Sequence, residues 1–338
     1  MKINKAEFQK ALRIVKPGLA SKELIEQSTS FAFKDGRVVT YNDEVCISHP
    51  VEGLEIQGAV RSKLFYEFIG KIKKDEIEIE MTKNELRIKS GRSKAGVPVA
   101  SEVILPLEEV DKIGKWKKLD EQFIPFMVMA ANAAAKDMGL GKFTCVYVDE
   151  NGSITGSDNL RILYSTVNDG FGFPSFLIPA QSAKKAASIE PTKISVTKNW
   201  VHFTNNEGTI LSCRIYPDEY EDVSEFVEME GMDFEFPKTV DTVLDRAAIF
   251  SKTETIADEE VEFIVAKNRM TIKAKGPNGW FEEPINYKYS DEPFSFTIVP
   301  YLLKDILSRA HTCIVSENGL KFTGAGWVYL SALKSMDA

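Results

Sequence analysis

The side chains best suited to catalysis or metal binding are scattered along this sequence. The three histidines, His49, His202 and His311, lie far apart and form no HxH or HExxH pattern. The four cysteines also lack metal-ligand spacing, and each occurs in an apolar, strand-like context: Cys46, Cys145, Cys213 and Cys313. We therefore expect buried free thiols in a reducing cytosol, and neither a metal ion nor a cofactor.

The short motifs that suggest nucleotide binding or acyl transfer are incomplete. GLGK at 139–142 lacks the spacing and the following Ser or Thr of a phosphate loop, and a strand-like run follows it where a helix is needed. GFGF at 170–173 has no third glycine, and no GxSxG motif occurs. The 50 acidic residues make carboxylate pairs inevitable, so a hydrolase with dispersed carboxylates is the weakest interpretation.

A polar turn followed by a short alternating strand occurs three times. The copies are TKNELRIKSG at 82–91, TKNWVHFTNN at 197–206 and SENGLKFTGA at 316–325, at intervals of 115 and 119 residues. A strand-like run precedes each copy, and a helical segment precedes that run: 61–74, 179–189 and 300–310. The pattern predicts three β-hairpins that close three related modules.

Each module also has an earlier helical segment, which the sequence places at 4–16, 121–136 and 238–251. Stretches typical of antiparallel hairpins connect the two helices of a module. We predict an α+β protein with two helices packed on antiparallel sheets in each of three domains: 1–115, 116–230 and 231–338.

The charge of the chain is distributed unevenly. The formal net charge is −8, yet six windows around the helical segments together carry +11 and the remaining chain carries −19; the windows are 2–16, 61–74, 120–136, 179–189, 238–252 and 300–309. One interpretation is a basic helical surface that faces a polyanion, with an acidic exterior. The other is that helices place Lys and Arg on solvated faces, and the pattern alone leaves both open. The acidic run at 218–230 indicates a solvated connection between domains.

Five segments resemble one protein family, in the right order along essentially the whole chain. They are KLFYEFIGKIKKDEIEIEMTKNELRIKSGRSK at 63–94, GSDNLRILYS at 156–165, CRIYPDEY at 213–220, RAAIFSKTE at 246–254 and FTIVPYLLKDIL at 296–307. On these segments the chain resembles the bacterial-type β sliding clamp, the DNA polymerase III β subunit family. The resemblance implies three clamp domains per chain and a head-to-tail homodimeric ring that encloses duplex DNA.

The resemblance also implies the partners and the binding residues. The partners are double-stranded DNA without sequence preference, the replicative DNA polymerase, a clamp loader and other proteins with a clamp-binding motif. Candidate DNA contacts are the basic residues on or near the helices: Lys10, Arg13, Lys63, Lys71, Lys73, Lys74, Lys136, Lys142, Lys184, Lys185, Arg246, Lys304 and Arg309. Matching positions for the peptide-binding pocket are Phe143, Ser157, Asn159, Leu160, Arg161, Ile162, Pro217, Val223, Leu330, Ser331 and Leu333.

Three departures from the family pattern affect these expectations. Asn159-Leu160 stands where the family has Gly-His, and residues 331–334 read SALK where it has Met-Pro-Met-Arg, so we expect a different peptide preference. The matching dimer-interface positions are Ala95, Val97, Ile249 and Phe250, and Ala95 lacks the expected aromatic ring, which predicts either a less stable dimer or a dimer sustained by other contacts. The divergence is compatible with a phage- or plasmid-encoded clamp.

We therefore predict a non-catalytic, cytoplasmic DNA sliding clamp. The alternative is a non-catalytic β-rich scaffold or capsid-associated interaction protein that does not encircle DNA.

Overall fold

A computed structural model describes residues 1–167 and 170–334 of the chain. The chain forms two compact units. The first comprises Met1–Ala131, Cys145–Glu150 and Phe171–Asp218, and the second comprises Asn132–Thr144, Asn151–Gly170 and Glu219–Ala338. The described α-helices are α1 (Lys5–Val15), α2 (Ser62–Lys71), α3 (Phe123–Ala133), α4 (Ala180–Ala187), α5 (Val240–Phe250) and α6 (Pro300–Leu307).

The first unit is built on a sheet of twelve strands. In chain order these strands are β1 (Lys2–Asn4), β2 (Ser30–Lys34), β3 (Arg37–Tyr41), β4 (Val45–Pro50), β5 (Gly58–Arg61), β6 (Glu76–Met81), β7 (Glu85–Ser90), β8 (Ser93–Ala100), β9 (Lys117–Lys118), β14 (Lys193–Val196), β15 (Trp200–Thr204) and β16 (Ile210–Arg214). Their order in the sheet is β1-β6-β7-β8-β5-β2-β3-β4-β16-β15-β14-β9. The unit also contains the antiparallel pair β10 (Cys145–Val148) and β13 (Phe176–Pro179).

The second unit contains two groups of antiparallel strands. Its strands are β11 (Ser153–Ser157), β12 (Arg161–Thr166), β17 (Met232–Glu235), β18 (Val261–Ala266), β19 (Arg269–Gly276), β20 (Gly279–Asn286), β21 (Phe294–Ile298), β22 (Thr312–Val315), β23 (Gly319–Gly324) and β24 (Trp327–Ala332). One group has the order β11-β12-β24-β23-β22-β17, and the other is β20-β19-β18-β21.

Helix α1 shows how the sequence sets the core of the first unit. The side-chain oxygen of Asn4 accepts hydrogen bonds from the backbone N–H groups of Ala6 and Glu7, which caps the helix at its first turn. The apolar stripe that includes Phe8 is then buried against the sheet. The Phe8 ring lies 6.1 Å from both Phe33 and Phe65, so aromatic side chains of α1, β2 and α2 form one cluster.

The second unit has an aromatic core of its own. Phe236 lies within 6.3 Å, between ring centroids, of Phe263, Phe296 and Phe322. Helices α5 and α6 contact each other and bury their apolar faces. Burying these faces removes apolar area from water, which is the main stabilising term for such a unit.

The three predicted hairpins are confirmed, and they share a turn chemistry. Thr82, Thr197 and Ser316 each donate a side-chain hydroxyl hydrogen bond to the carbonyl oxygen of the residue three positions later. The backbone N–H groups of Thr82, Thr197 and Ser316 also donate hydrogen bonds to those carbonyl oxygens. A repeated Ser/Thr, rather than the repeated asparagine of the sequence pattern, therefore makes the turns alike.

The predicted helices and the α+β class with antiparallel sheets are confirmed, with shorter helix boundaries. Pro125 is the third residue of α3, where no intrahelical N–H bond is lost. Helix α2 ends at Lys71, so Lys73 and Lys74 lie beyond it, in the connection to β6. The domain boundaries at 115/116 and 230/231 stay a prediction. Among the described residues, none of the helices has the length and apolarity needed to cross a membrane.

Candidate DNA-contact, peptide and interface sites

The described side chains do not assemble a metal centre: no group of three or more His, Cys, Asp or Glu among them could hold an ion. Among the histidines, His202 lies in the core of the first unit. His202 is fully buried on β15 with its Nδ1 2.7 Å from Ser212 Oγ, and burial lowers the pKa of His202 to about 4. The four cysteines are free thiols, and burial raises the pKa of Cys46 and Cys213 to about 12.

Five candidate DNA contacts in the first unit are exposed basic side chains without a carboxylate partner. Within the described part of the chain, none of them lies within 4.0 Å of an acidic side chain. Arg13 is on α1 and Lys63 is on α2, and these two helices contact each other. Lys71 ends α2, and Lys73 and Lys74 follow it. This α1/α2 surface therefore carries uncompensated positive charge, which suits contact with phosphate.

Four other candidates are neutralised by carboxylates. Lys10 pairs with Glu207, and Lys142 pairs with Glu221 at 2.8 Å. Arg246 makes two hydrogen bonds to Glu283, at 2.6 and 3.0 Å, and Lys304 pairs with Asp245. Because the charged guanidinium of Arg246 donates hydrogen bonds to Glu283, the pKa of Arg246 is raised. Each of these side chains must break its ion pair with the carboxylate before it can contact a phosphate.

The remaining four candidates differ in exposure. Lys136 and Arg309 are exposed, whereas Lys184 and Lys185, in the last turn of α4, are half-buried.

Arg161 is the centre of the candidate peptide pocket, and it is almost completely buried. Its guanidinium group donates hydrogen bonds to the carbonyl oxygens of Asn132 and Ala133 at the end of α3. It also pairs with Asp158, at 3.0 Å, and with Asp305 on α6. These contacts join the end of α3, the β11–β12 turn and α6, so Arg161 holds these three elements together instead of offering a free charge to a ligand.

Tyr301 and Asp158 complete this arrangement, although sequence reasoning did not select them. The Tyr301 ring lies 5.0 Å from the Arg161 guanidinium carbon, and its hydroxyl donates to Asp158 at 3.0 Å. Burial, together with the Asp158 charge, raises the pKa of Tyr301. Both residues lie in segments that carry the family resemblance, 156–165 and 296–307, and that is the signal that could have identified them.

The structure brings seven of the eleven predicted pocket residues together on β11, β12, the turn between these two strands, and β24. Ile162 pairs with Leu330 and Arg161 pairs with Ser331 across the antiparallel strands. The N–H of Ala332 bonds the carbonyl oxygen of Leu160, and Ser157 donates its hydroxyl to the carbonyl of Arg161. Leu160 and Ile162 are half-buried, whereas Ser157, Leu330 and Ser331 are buried.

Three further pocket candidates lie in the second unit, and one lies in the first. The N–H of Ala135 bonds the carbonyls of both Phe143 and Ser157, which places Phe143 beside β11. Val223 is buried in the segment that follows Tyr220, whose ring lies 6.1 Å from that of Phe143. Leu333 lines a cavity of about 640 Å³ that also includes Phe296 and Asn318. Pro217 is exposed in the first unit.

The interface candidates lie on β8 in the first unit and at the end of α5 in the second. On β8, Val97 is only 5% exposed and belongs to the core of its own unit, while Ala95 is half-buried. At the end of α5, Ile249 is 67% exposed and Phe250 stacks on Phe281 at 5.9 Å. The neighbouring Trp280, on β20, is 72% exposed, and sequence reasoning did not select it. The second unit thus exposes two large apolar side chains, Ile249 and Trp280.

No family model matches the sequence, and no curated protein is detectably similar to it. Solved structures do match. The DNA polymerase III β subunit of Thermotoga maritima superposes with a TM-score of 0.79 at 17% identity. The Bartonella birtlesii sliding clamp bound to griselimycin gives 0.86 at 14% identity, and the C. crescentus β sliding clamp gives 0.82 at 15%. Each match covers 99% of this chain and 99% of the other. The chain therefore has the fold of the DNA polymerase III β sliding clamps.

Proposed function

We propose that this protein is a DNA sliding clamp that tethers a replicative DNA polymerase for processive synthesis. The observation that carries the proposal is the match to β sliding clamps along 99% of both chains, with TM-scores of 0.79 to 0.86. A scaffold that shared only one domain with clamps would not match along the whole chain.

The α1/α2 surface supports contact with DNA. Arg13, Lys63, Lys71, Lys73 and Lys74 provide unpaired positive charge on a chain whose net charge is −8. Phosphate contacts carry no sequence information and are weakened by salt, which is what a protein that slides along DNA requires. An acidic remainder would disfavour DNA binding elsewhere on the surface.

A ring requires a second copy of the chain, and the proposed clamp is a head-to-tail homodimer of three-domain chains. The candidate interface positions support this proposal in part. Ile249 is exposed and available, whereas Val97 already contributes to the core of its own unit. We expect β8 of one protomer to meet the end of α5 and the adjoining strand of its partner.

The arrangement around Leu160 and Ile162 supports a site for short linear peptides of a polymerase, a clamp loader and other clamp-binding proteins. Half-buried aliphatic side chains beside a rigid Arg161 framework suit an apolar peptide side chain. One structural neighbour is bound to griselimycin, and another carries PEG at a putative β-motif tethering region. The proposed clamp acts in the cytoplasm and has no catalytic role of its own.

Retention on circular DNA tests the proposal. The protein is incubated with nicked circular plasmid long enough for dimers to dissociate and re-form around DNA, and bound protein is isolated by gel filtration at high salt. We expect retention on the circle and release after a restriction enzyme linearises it, with plasmid that was linear throughout as the control. Equal retention on circular and linear DNA, or particle images without a central hole, would favour the scaffold alternative.

A further inference from the structure

Three large apolar side chains are exposed on two segments of the second unit. Met138 and Leu140 lie in the segment at 136–144, and Phe226 lies in the segment at 219–230. Met138 is 75% exposed and Phe226 is 61% exposed. Isolated exposed apolar residues are ordinary on a protein surface, whereas several on adjoining segments are typical of a site that binds another molecule.

Side-chain contacts join the two segments. Lys142 pairs with Glu221 at 2.8 Å, and the Phe143 ring lies 6.1 Å from the Tyr220 ring. The two segments therefore lie side by side, and on each of them the exposed apolar residues are only a few positions from these contacts.

The local sequence explains why Phe226 is exposed. The N–H of Ser224 bonds Asp222 Oδ1 at 2.9 Å, and the N–H of Phe226 bonds the carbonyl oxygen of Val223 at 3.1 Å. These bonds hold a tight turn in which Val223 is buried, while Phe226, three residues later, is left in contact with solvent.

The surroundings of these apolar side chains are strongly acidic. Six of the twelve residues at 219–230 are acidic and none is basic, and together with 136–142 they carry a formal charge of −5. All six of these carboxylate residues are exposed. Within the described part of the chain, Glu225 and Glu228 have no basic side chain within 4.0 Å. Carboxylates without a cation repel DNA phosphate and attract Lys and Arg side chains.

The two segments are also continuous with the proposed peptide site. Phe143 and Val223, which are predicted pocket positions, lie one in each segment. The N–H of Ala135 bonds the carbonyl oxygens of Phe143 and Ser157, which ties the first segment to β11. Residues that adjoin the apolar motif of a bound peptide therefore lie beside these segments.

We propose that the three exposed apolar side chains and the carboxylates of 219–230 form one surface, the acidic flank surface, which binds a Lys- or Arg-rich stretch adjoining the apolar motif of partner polypeptides. The inference rests on the peptide site of the proposed function and specifies the charge of its partners. The alkyl parts of Lys and Arg side chains pack on Met138 and Phe226 while their charged groups reach the carboxylates. An Arg side chain also fits over the Phe226 ring.

Peptides that differ only in the charge of their flanks test the proposal. The apolar motif of a polymerase C-terminal peptide is synthesised with flanks of alternating Lys and Ser, of alternating Glu and Ser, or of Ser alone, and dissociation constants are measured by fluorescence anisotropy. We expect the wild-type protein to bind the Lys-flanked peptide about tenfold more tightly than the Glu-flanked one, since each exposed ion pair contributes a factor of about two to five. Equal affinity for these two peptides would overturn the proposal.

Charge reversal on the protein tests whether the preference arises at 219–230. The double variant Glu225→Lys/Glu228→Lys should abolish or reverse the preference for the Lys flank. The matched control, Glu52→Lys/Glu55→Lys, changes the charge by the same amount at the same spacing, on exposed residues of the first unit. We expect the control to keep the wild-type preference. The same preference in both double variants would rule out 219–230 as its source.

Truncation of Phe226 tests the apolar part of the surface. We expect Phe226→Ala to weaken binding of the Lys-flanked peptide about threefold or more. Leu24→Ala, which truncates an exposed apolar residue of the first unit, should leave it unchanged. Equal affinities of the two variants would contradict the contact between Phe226 and the peptide flank.

The Ser-flanked peptide separates this inference from the proposed function. If that peptide binds and Leu160→Asp abolishes its binding, while flank charge has no effect, the acidic flank surface is wrong and the peptide site stands. If none of the three peptides binds the wild-type protein, both the acidic flank surface and the peptide site are contradicted.

Discussion

Some candidate Lys and Arg side chains have a carboxylate partner and others have none, and this difference gives a specific prediction about DNA binding. Replacing Lys71, Lys73 and Lys74 by glutamine removes three exposed charges without a carboxylate partner. A matched variant replaces Lys10, Arg246 and Lys304, which pair with Glu207, Glu283 and Asp245. Both variants lower the formal charge of the chain by three. A difference in DNA affinity between them therefore reports whether the replaced side chains had carboxylate partners.

The expected magnitude follows from counterion release. Each phosphate contact contributes about 0.9 to the slope of log affinity against log salt concentration. Loss of all three unpaired lysines therefore lowers the slope by up to about 2.7. A Lys or Arg side chain that already has a carboxylate partner contributes little to this slope. To contact a phosphate it must break its ion pair, and the carboxylate that is left beside the DNA repels the phosphate. We expect the matched variant to lower the slope by less than about 1 in total.

The assay is fluorescence anisotropy of a short labelled duplex at salt concentrations from about 50 to about 200 mM. Thermal unfolding of both variants establishes that the fold is retained. Equal slope changes in the two variants would refute the reasoning from pairing. An unchanged slope in the first variant would show that its lysines do not contact DNA.

Three other predictions concern the framework, pH dependence and the pocket. Arg161→Met leaves Asp158 half-buried without its cation and should lower the free energy of unfolding, measured in urea, by about 3 to 5 kcal/mol. A loss below about 1 kcal/mol would contradict the conclusion that Arg161 holds α3, the β11–β12 turn and α6 together. Because the folded pKa of His202 lies at about 4, well below its unfolded value, only the unfolded state gains its proton as pH falls. His202 should therefore cost about 2 kcal/mol of stability between about pH 7 and about pH 5, and His202→Gln should remove that part of the pH dependence if it folds stably. Leu160→Asp and Leu333→Asp should weaken binding of a polymerase C-terminal peptide, measured by calorimetry, whereas the exposed control Leu64→Asp should not. Unchanged binding in both pocket variants would contradict the assignment of Leu160 and Leu333 to the peptide site.

Local patterns were enough to predict the elements of the fold. The 3.6-residue apolar spacing identified the helices, and the polar turns identified the three hairpins. The charge count, however, treated every basic side chain alike. Glu283 is 37 residues from Arg246 and Glu207 is 197 residues from Lys10, so their neutralisation depends on the tertiary fold. The same limit applies to Arg161, whose partner Asp305 is 144 residues away.

The exposed Trp280 shows a second limit of sequence reasoning. Alternation predicts a strand but does not tell which side of it lacks a neighbour. Trp280 follows a turn of Gly, Pro and Asn and has no apolar periodicity that would mark it as functional. Only its 72% exposure on an edge strand distinguishes it from a core tryptophan such as Trp200, which is fully buried.

The Asn159-Leu160 departure can now be separated into a backbone effect and a side-chain effect. Asn159 has φ +72°, a conformation that favours Gly but that Asn adopts more readily than most other residues. The same turn occurs earlier in the chain, where Asp43 has φ +74° and Asn42 Oδ1 accepts from the N–H of Val45, just as Asp158 Oδ1 accepts from the N–H of Arg161. The turn therefore keeps its shape without glycine. What changes is the next side chain, since half-buried Leu160 presents an aliphatic group where the family pattern has an imidazole. We accordingly expect the altered peptide preference to arise from the loss of a polar contact at Leu160, and Leu160→His to shift that preference without changing the thermal stability of the protein.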